Sequence, residues 1–373
     1  MRNLVIFGTR DAGAAGLHPY LGAVTVDNVT VRCGIVRTRG VAFDPGQLPR
    51  GVLVRVCTVS CNYRDKSFFF RMQDIPAGRF MAIGSEFAGE VVAVGEAVET
   101  LRPGDRVIPN HHYEGVAYGR DGLRAGVATN HGSKEFQVLD ERKLSRVPAT
   151  MPLDVAAAFG LNAQTAYSMV RRVAPAPGAR VLVTSGAANT SLFLIGALRK
   201  YDVRIYASTT SAAAGDRLRA LGVDEVIHCP REDGGFAGSG AVERFADEVG
   251  GFDHVFDPFY DLHLEKSVEV LNPFGTYITC GLVGQNENSA RAAGVSVPRQ
   301  IDGVMLKVMT KNLSLVGNCI GLRQDLEEAV RDHAAGRLTA VVDSVHSGED
   351  VSTFLNRTFN DGGRFGKVVF RYD

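Results

Sequence analysis

The stretch Gly178-Ala-Arg-Val-Leu-Val-Thr-Ser-Gly-Ala-Ala-Asn-Thr-Ser-Leu-Phe-Leu-Ile-Gly-Ala-Leu198 decides the fold of this chain. Val181–Val183 is a short β-branched run suited to a buried parallel strand, residues 184–191 form a turn of small residues, and Leu192–Leu198 begins a helix. Such a strand, turn and helix bring several backbone N–H groups and the positive end of a helix together. The stretch therefore predicts a cradle for a pyrophosphate group.

The glycine pattern of this turn is incomplete. In the G-x-G-x-x-G frame Gly186 holds the first place, whereas Ala188 and Ser191 hold the other two. Asn189 can adopt a left-handed conformation at low cost, and Ala or Ser adds little bulk. Two interpretations stay open on the motif alone: a βα unit that binds a dinucleotide, and a structural βα unit without a ligand.

Length and composition limit the class of protein. The 373 residues suffice for two domains with full cores, and 41 basic residues balance 41 acidic ones, which argues against nucleic acid or a membrane as partner. No apolar run could span a membrane, and the apolar part of Met1–Gly8 is too short for a signal peptide. The six cysteines are scattered without a Cys-x-x-Cys pair, so we expect reduced thiols in a cytoplasmic protein.

The chain up to residue 147 is predicted to be a β-rich, barrel-like domain. Short β runs separated by Pro, Gly and Asp turns lie over 52–59, 87–94, 106–108 and 135–139, and no helix of useful length is predicted among them. Leu4–Phe7, followed by three glycines, imitates a second nucleotide turn. Pro19 and Gly22 interrupt the helix that should follow it, so we interpret this segment as a loop.

Beyond Pro152 helices and strands alternate. Val155–Val170 is apolar at helical spacing; strands are then predicted over 203–207, 225–228, 254–257, 276–280 and 313–316, and helices over 216–221, 242–249, 262–271 and 326–335. Alternating βα units of this length predict a parallel, doubly wound sheet. The tail, 341–370, reads as strands that rejoin the first domain.

Five short segments occur in a specific order: Val59-Ser-Cys-Asn-Tyr-Arg-Asp65, Gly84-Ser-Glu-Phe-Ala-Gly-Glu-Val-Val92 with Val94-Gly95, Pro103-Gly-Asp-Arg-Val107, Gln164-Thr-Ala-Tyr167 and Phe365-Gly-Lys-Val-Val369. In order and spacing the chain resembles the medium-chain dehydrogenase/reductase superfamily, specifically its zinc-free quinone oxidoreductase and enoyl reductase branch. The resemblance implies an α/β chain with a β-rich, barrel-like (GroES-like) catalytic domain over 1–154 and 336–373 and a doubly wound parallel-sheet Rossmann domain over 155–335.

The resemblance also implies site residues and a nicotinamide cofactor in the cleft between the domains. Asn62 and Tyr63 are the expected catalytic residues. The expected cofactor-binding residues are Thr165, Ser185, Gly186, Ala188, Asn189, Thr190, Ser208, Thr209, Arg217, Gly281 and Asn318. For Gly281 and Asn318 an ordinary role in a turn is a close alternative.

Zinc members of the superfamily hold a catalytic metal at places that correspond here to Asn62, Ser85 and Leu161. None of these is a good zinc ligand, and Cys61 is one position out of register. The adjacent His111 and His112 point in divergent directions, and no third ligand has a supporting spacing. The sequence therefore predicts that no metal is used.

Without zinc, alcohol oxidation lacks its Lewis acid, whereas hydride delivery to an enone, enoyl thioester or quinone needs only hydrogen-bond donors and a proton source. Asn62 and Tyr63 are the candidates, and Arg64 and Lys66 are added donors for which packing or surface roles are the alternative. Phe68–Phe70 is expected to divide between the core and the wall of a substrate pocket.

Cofactor choice is read where the second Rossmann strand ends, because NAD-preferring folds place an acid there. This chain has Ser208-Thr-Thr-Ser211 instead, with Arg204 and Arg217 as the nearest cations. Hydroxyl groups suit a 2′-phosphate, which an acid would repel, so NADPH is favoured over NADH.

Three functions stay open. The first is an NADPH-dependent reductase of a small molecule with an activated C=C or a quinone, which the Asn62 region favours. The second is a cofactor-binding or structural protein of the same fold without turnover, which the incomplete glycine pattern favours. The third is an oxidoreductase of unusual direction or substrate in secondary metabolism. We also expect a homodimer paired through the apolar edge strand at 313–316.

Overall fold

A computed structural model of the chain describes residues 1–10, 20–110, 131–284 and 301–373. It divides into two compact units, Met1–Leu161 with Val341–Asp373, and Asn162–Ala340. The sequence placed these boundaries at 154/155 and 335/336. His111 and His112 lie outside the described residues. Among the helices that are described, none has the length and apolar character needed to cross a membrane.

The first unit is built from two β-sheets. Its strands are β1 (Arg2–Phe7), β2 (Tyr20–Val26), β3 (Val29–Arg37), β4 (Gly51–Ser60), β5 (Phe80–Ala82), β6 (Glu86–Val94), β7 (Arg106–Pro109), β8 (Phe136–Asp140), β9 (Leu144–Arg146) and, near the chain end, β16 (Val342–Ser347) and β17 (Lys367–Arg371). The smaller sheet has the order β2-β3-β1-β5. The larger sheet has the order β16-β17-β4-β6-β7-β9, with β8 paired to β4. Each of the four strands predicted between 52 and 139 is present.

The β1 strand shows why the first glycine-rich segment is no nucleotide turn. It pairs antiparallel with β3 and β5, and Gly8 packs so tightly that a Cβ would lie 2.4 Å from the carbonyl oxygens of Ile75 and Pro76. A nucleotide turn requires a parallel strand followed by a helix. The prediction that this segment only imitates such a turn is confirmed for the residues up to Gly8, although Leu4–Phe7 is a strand and not the loop that was expected. Gly13 and Gly16 lie outside the described residues.

Two helices of the first unit differ from the prediction. The helix α1 (Lys66–Arg71) follows a 3₁₀ turn at Tyr63–Asp65, and its Phe68, Phe69 and Phe70 are all buried in the core. The expectation that these three side chains divide between core and pocket wall is therefore wrong. A helix of 6 residues is shorter than the window in which a helical period can be read. The tail also contains a helix, Val351–Phe359, where only strands were expected.

The second unit is a six-stranded parallel sheet with helices between its strands. The strands are β10 (Arg180–Val183), β11 (Arg204–Thr209), β12 (Glu225–His228), β13 (Phe252–Asp257), β14 (Leu271–Thr279) and β15 (Ser314–Gly317), in the order β12-β11-β10-β13-β14-β15. The chain order reverses between β10 and β13, which is the switch point where parallel α/β sheets bind ligands. The predicted doubly wound Rossmann sheet is confirmed.

The helices beyond α1 are α2 (Leu153–Ala157), α3 (Gly160–Val173), α4 (Asn189–Leu198), α5 (Gly215–Ala220), α6 (Gly235–Gly238), α7 (Ala241–Val249), α8 (Tyr260–Val270), α9 (Ile301–Thr310), α10 (Arg323–Ala334) and α11 (Val351–Phe359). The single helix predicted over 155–170 is thus two helices, and α9 was not predicted. A core of aliphatic and aromatic side chains from β10–β14 and the helices that flank them supports the parallel sheet.

Candidate active site

Three strands of the first unit bring the candidate catalytic residues together. β4 lies between β6 and β17, and Ser60 at its end pairs with Glu86 and with Val369. Both neighbours run antiparallel to β4, so the chain that leaves β4 at Asn62 meets the beginnings of both strands. Glu86 begins β6, and Lys367 begins β17. The sheet register therefore places these side chains around Asn62.

The side chain of Asn62 is held by a polar network. Its Nδ2 donates to Ser85 Oγ and to Glu86 Oε2, both at 2.9 Å. Its Oδ1 accepts from Lys367 Nζ at 2.6 Å. The orientation of the amide follows from its partners, since a lysine only donates and a carboxylate only accepts. Lys367 Nζ also donates to Glu86 Oε2 at 2.5 Å, which closes a ring of three side chains.

Burial makes this network electrostatically strong. Ser85 and Glu86 are fully buried and Lys367 is 1% exposed, whereas Asn62 is half-buried. Burial by itself raises the pKa of the Glu86 carboxyl, but the Lys367 ammonium and hydrogen bonds from Lys367, Asn62 and the Leu161 N–H outweigh it and lower that pKa. The lowered pKa of Glu86 favours its carboxylate form, which lies in an ion pair with the Lys367 ammonium.

A second carboxylate, Asp65, supports the turn after Asn62. Its Oδ2 accepts from the Asn62 backbone N–H and from Ser85 Oγ, each at 2.8 Å. Complete burial raises the pKa of the Asp65 carboxyl, and nearby Arg64 and these two hydrogen bonds offset that effect only in part. Asp65 fixes the backbone and hydroxyl groups on which the Asn62 amide rests.

The structure qualifies the predicted role of Asn62 as an oxyanion donor. Both N–H bonds of its amide point to acceptors inside the network, Ser85 and Glu86. A substrate oxygen would have to replace one of these acceptors. The Ser85 hydroxyl is the weaker of the two because it is neutral. The role of Asn62 stays a prediction, with the Ser85 contact as the exchangeable one.

The other expected donors lie beside this network. Tyr63 is half-buried, and its ring contacts the Lys66 ammonium at 4.9 Å and the Arg364 guanidinium at 5.7 Å. Lys66 is buried, and its ammonium forms an ion pair with the Asp27 carboxylate at 2.9 Å. Lys66 therefore has the packing role that was given as the alternative to a donor role. Tyr63 therefore remains the candidate proton donor, in a setting of positive charge.

The places that hold zinc in other members of the superfamily do converge here. Asn62 contacts Ser85, and the Leu161 N–H donates to Glu86 Oε1 at 2.6 Å. An amide, a hydroxyl and a leucine are not a zinc ligand set, and the Lys367 ammonium already binds the Asn62 oxygen. Within the described ranges no group of three His, Cys, Asp or Glu side chains could hold a metal. The residues present do not fit zinc.

The cofactor-binding turn of the second unit is shorter than the sequence indicated. Helix α4 begins at Asn189, so Asn189 and Thr190 are helical, and Ser185 with φ 49° is the left-handed residue instead of Asn189. Thr190 Oγ1 donates to Asn162 Oδ1 at 2.8 Å, and Ser191 Oγ donates to the Thr184 carbonyl at 2.8 Å. The Ser191 contact joins the helix to the turn, and the Thr190 contact joins it to α3.

The turn is also hydrogen-bonded to the end of β11. Gly186 N–H donates to the Ser208 carbonyl at 2.7 Å, and a Cβ on Gly186 would lie 3.2 Å from that oxygen. The first-turn N–H groups of α4 have no acceptor within their own helix, as in every α-helix. A compact turn of Ser185, Gly186 and Ala188 before such a helix fits a pyrophosphate group.

A buried carboxylate that the sequence analysis missed stabilises this turn. Asp257, at the end of β13, accepts from Thr184 Oγ1 at 2.6 Å, from His263 Nδ1 at 2.7 Å and from the Tyr277 hydroxyl at 2.5 Å. Burial by itself raises the pKa of Asp257, but these hydrogen bonds and the His263 charge lower it overall. Its position as the last residue of a predicted strand, 254–257, was a readable signal.

The residues around the predicted 2′-phosphate site are only partly as expected. Ser208 and Thr209 end β11 and are buried. Arg217 is exposed on α5, whereas Arg204 begins β11 and so lies at the opposite end of the strand from Ser208. The structure places another cation there: Arg231 Nε donates to Thr210 Oγ1 at 3.4 Å. Arg231 follows the third strand, and parallel neighbours end at the same edge of a sheet.

The remaining predicted cofactor residues have structural contacts of their own. Asn318 Oδ1 accepts from Ser168 Oγ at 3.0 Å and Arg172 at 3.1 Å, and its amide donates to the Ile320 carbonyl. The Gly281 carbonyl accepts from the Tyr260 N–H at 3.1 Å, and Thr165 is buried on α3. For Asn318 and Gly281 these contacts are the turn roles given above as the alternative.

Comparison with known proteins agrees with this architecture. The family model for the alcohol dehydrogenase GroES-like domain matches residues 48–149, and that for zinc-binding dehydrogenase matches residues 190–335. Polyketide synthase GfsB of Streptomyces halstedii is 31% identical over 65% of this chain, which spans 4% of that protein. Quinone oxidoreductase-like protein 2 of Mus musculus is 30% identical over 66% of this chain and 61% of its own length.

Solved structures share the whole fold at low identity. An NAD-dependent alcohol dehydrogenase has a TM-score of 0.75 at 22% identity, covering 100% of this chain and 99% of its own. CurK enoyl reductase has a TM-score of 0.69 at 19% identity, covering 100% of both chains. Crotonyl-CoA carboxylase/reductase AntE, in complex with NADP, has a TM-score of 0.72 at 19% identity and covers 100% of this chain and 94% of its own.

One unit of the chain is GroES-like, and the other is built on a parallel sheet of the dinucleotide-binding type. This combination is typical of one superfamily of oxidoreductases. The chain belongs to the medium-chain dehydrogenase/reductase superfamily. The family binds a nicotinamide cofactor.

Proposed function

We propose that this protein is an NADPH-dependent reductase that delivers hydride, without a metal, to an activated C=C of an enone or enoyl thioester, or to a quinone. One observation carries the proposal. The residues at the zinc places form a closed network with a buried lysine, in which Asn62 and Ser85 replace metal ligands. A hydrogen-bonding site of this kind suits an acceptor that needs oxyanion stabilisation and a proton.

The reaction assigns distinct tasks to the chain. NADPH, when bound, supplies the hydride to the β-carbon of the substrate. The electron pair of the C=C then shifts toward the carbonyl, whose oxygen gains negative charge. Asn62 would donate a hydrogen bond to that oxygen in place of its bond to Ser85. Tyr63 would give the proton that completes the α-carbon.

The preference for NADPH rests on the end of β11. Ser208 and Thr209 stand where an acid would bind a ribose hydroxyl, and Arg231 lies beside Thr210. Hydroxyl groups and a guanidinium favour a 2′-phosphate. AntE was crystallised with NADP. We expect R231A to weaken NADPH binding at least about tenfold by titration and to leave NADH binding unchanged, since one charge-assisted contact is worth roughly 1.5–3 kcal/mol.

The decisive experiment follows the hydride. The protein is incubated with NADPH deuterated on the transferred position and a panel of enones, enoyl thioesters and quinones, and products are analysed by mass spectrometry. The proposal predicts deuterium on the β-carbon of the reduced enone or thioester. A panel without any reduced product would contradict it.

A cofactor-binding protein without turnover is the second candidate. Two observations favour it: the turn has one glycine of the usual three, and both N–H bonds of Asn62 are engaged within the network. This candidate predicts a rise in melting temperature with NADPH and no deuterated product.

The similarity to polyketide synthases favours thioester-linked substrates of secondary metabolism among the compounds of the panel.

A further inference from the structure

We propose that Lys367 provides the internal positive charge of this active site and acts through the Asn62 amide, which makes it a positioning residue for oxyanion stabilisation. This inference rests on the proposed reduction of an activated C=C. In zinc enzymes a metal ion stabilises the negative charge on the substrate oxygen. Here a part of that stabilisation is assigned to Lys367, near the end of the sequence.

The positive charge of Lys367 lies inside the unit, next to the Asn62 amide. Lys367 is 1% exposed and lies 2.6 Å from the oxygen of the Asn62 amide, while Asn62 itself is half-buried. The ammonium is therefore shielded from solvent and contacts the oxygen of a half-buried amide. The strand register holds Lys367 beside Asn62, because Val369 of β17 pairs with Ser60 of β4.

Burying the ion pair of Lys367 and Glu86 costs hydration free energy. A buried ion pair loses so much hydration that well-packed apolar residues are often equally stable in its place. Lys367 and Glu86 are nevertheless both buried, and both bind the Asn62 amide, Lys367 at its oxygen and Glu86 at its Nδ2. An arrangement that costs hydration and converges on one amide is better explained by that amide's chemistry than by stability.

Polarisation links the lysine to the reaction. An ammonium bound to the amide oxygen draws electrons from the amide nitrogen, so the Nδ2 hydrogens of Asn62 become stronger donors. Glu86 binds one of these hydrogens with a full negative charge and fixes the amide plane. Ser85 binds the other through a neutral hydroxyl. A substrate oxygen that gains negative charge during hydride transfer competes with that hydroxyl better than the ground-state carbonyl does.

The test removes both buried charges together, so that no lone charge is left inside. We compare the parent protein with K367M/E86Q, K367Q/E86Q and the charge-retaining K367R, using R50M/E141Q as a control. Arg50 and Glu141 form an ion pair at 2.7 Å in the same unit, and Arg50 directly precedes β4 whereas Asn62 follows the other end of that strand. For each protein we measure kcat and KM for an enone, NADPH affinity, and the carbonyl stretching frequency of the enone bound with oxidised cofactor.

The two neutral double variants should lose at least about tenfold in kcat, less than the loss of a whole oxyanion donor, with KM and NADPH affinity nearly unchanged. The carbonyl stretch of the bound enone should move to higher frequency, toward its value in water. K367R should retain most of the rate, and the control should match the parent.

Two results would overturn the inference in different ways. A folded double variant with kcat within about threefold of the parent and an unchanged carbonyl stretch would remove Lys367 from the chemistry while leaving the reductase function intact. A parent protein that reduces no substrate would remove the proposed function and this inference together. K367Q/E86Q keeps hydrogen-bonding groups at both positions, so the test does not depend on the folding of K367M/E86Q.

Discussion

At the scale of the residue, Asn62 is where the polar network meets the surface of the unit. N62A removes the amide that would bind the substrate oxygen. We expect kcat to fall by about two to three powers of ten, as for the loss of one oxyanion donor, with NADPH affinity unchanged. N3A is the matched control, because Asn3 is an amide of the same unit whose side chain donates to Met1, Val36 and Thr38. A fall of less than about threefold in kcat would remove Asn62 from the mechanism.

Asp65 gives the same network a pH dependence. Burial raises its pKa, so the folded state binds this proton more tightly than the unfolded chain, whose reference value is 3.8. Stability from this group is therefore present at low pH and is lost as pH rises from about that value through the folded pKa. Glu86 acts in the opposite sense, because its lowered pKa adds stability that is lost as pH falls below its ordinary value of 4.5.

D65N separates the two contributions. The amide keeps an oxygen that can accept from Asn62 and Ser85 but carries no charge at any pH. We expect the free energy of unfolding of D65N, measured in urea across a pH series, to lack the decline with rising pH that Asp65 causes. An identical pH slope in the variant and the parent would show that the Asp65 carboxyl is not the source.

At the scale of the element, the turn between β10 and α4 depends on one glycine. A Cβ on Gly186 would lie 3.1 Å from Leu218 and 3.2 Å from Ala207. We expect G186A to lower the free energy of unfolding by about 1–3 kcal/mol through overpacking, and to weaken NADPH binding. G303A is the control: no atom lies within 4 Å of a Cβ there, and alanine in the first turn of α9 should stabilise by at most about 1 kcal/mol. Equal effects of the two variants would contradict the packing argument.

Elements differ in how far they can be read from sequence. The Rossmann strands were predictable where β-branched residues stand between turn residues, as over 225–228, which is reproduced in full. Helix α11 was also readable, since Val351, Phe354, Leu355 and Phe359 have helical spacing and are buried. Helix α1 was too short to show a period. The partnership of Lys367 with Asn62 joins positions 305 residues apart and follows only from strand register.

At the scale of the whole molecule, we propose that two copies pair through β15, the edge strand of the parallel sheet. Leu315 on this strand is 39% exposed, and Leu306 and Met309 on α9 are 59% and 64% exposed. A second copy related by a two-fold axis can pair the same edge with itself and cover both patches. We expect L306E/M309E to sediment as a monomer at micromolar concentration, where the parent is a dimer. A monomeric parent would contradict the proposal.

The central claim is that a hydrogen-bonded network with a buried lysine supports reduction without a metal. The most direct measurement is the rate of NADPH oxidation with an enone substrate, before and after exhaustive treatment with a strong zinc chelator, together with the metal content of both samples. We expect the same rate in both samples and far less than one zinc per chain. Stoichiometric zinc in the untreated protein, with activity that the chelator abolishes and added zinc restores, would contradict it.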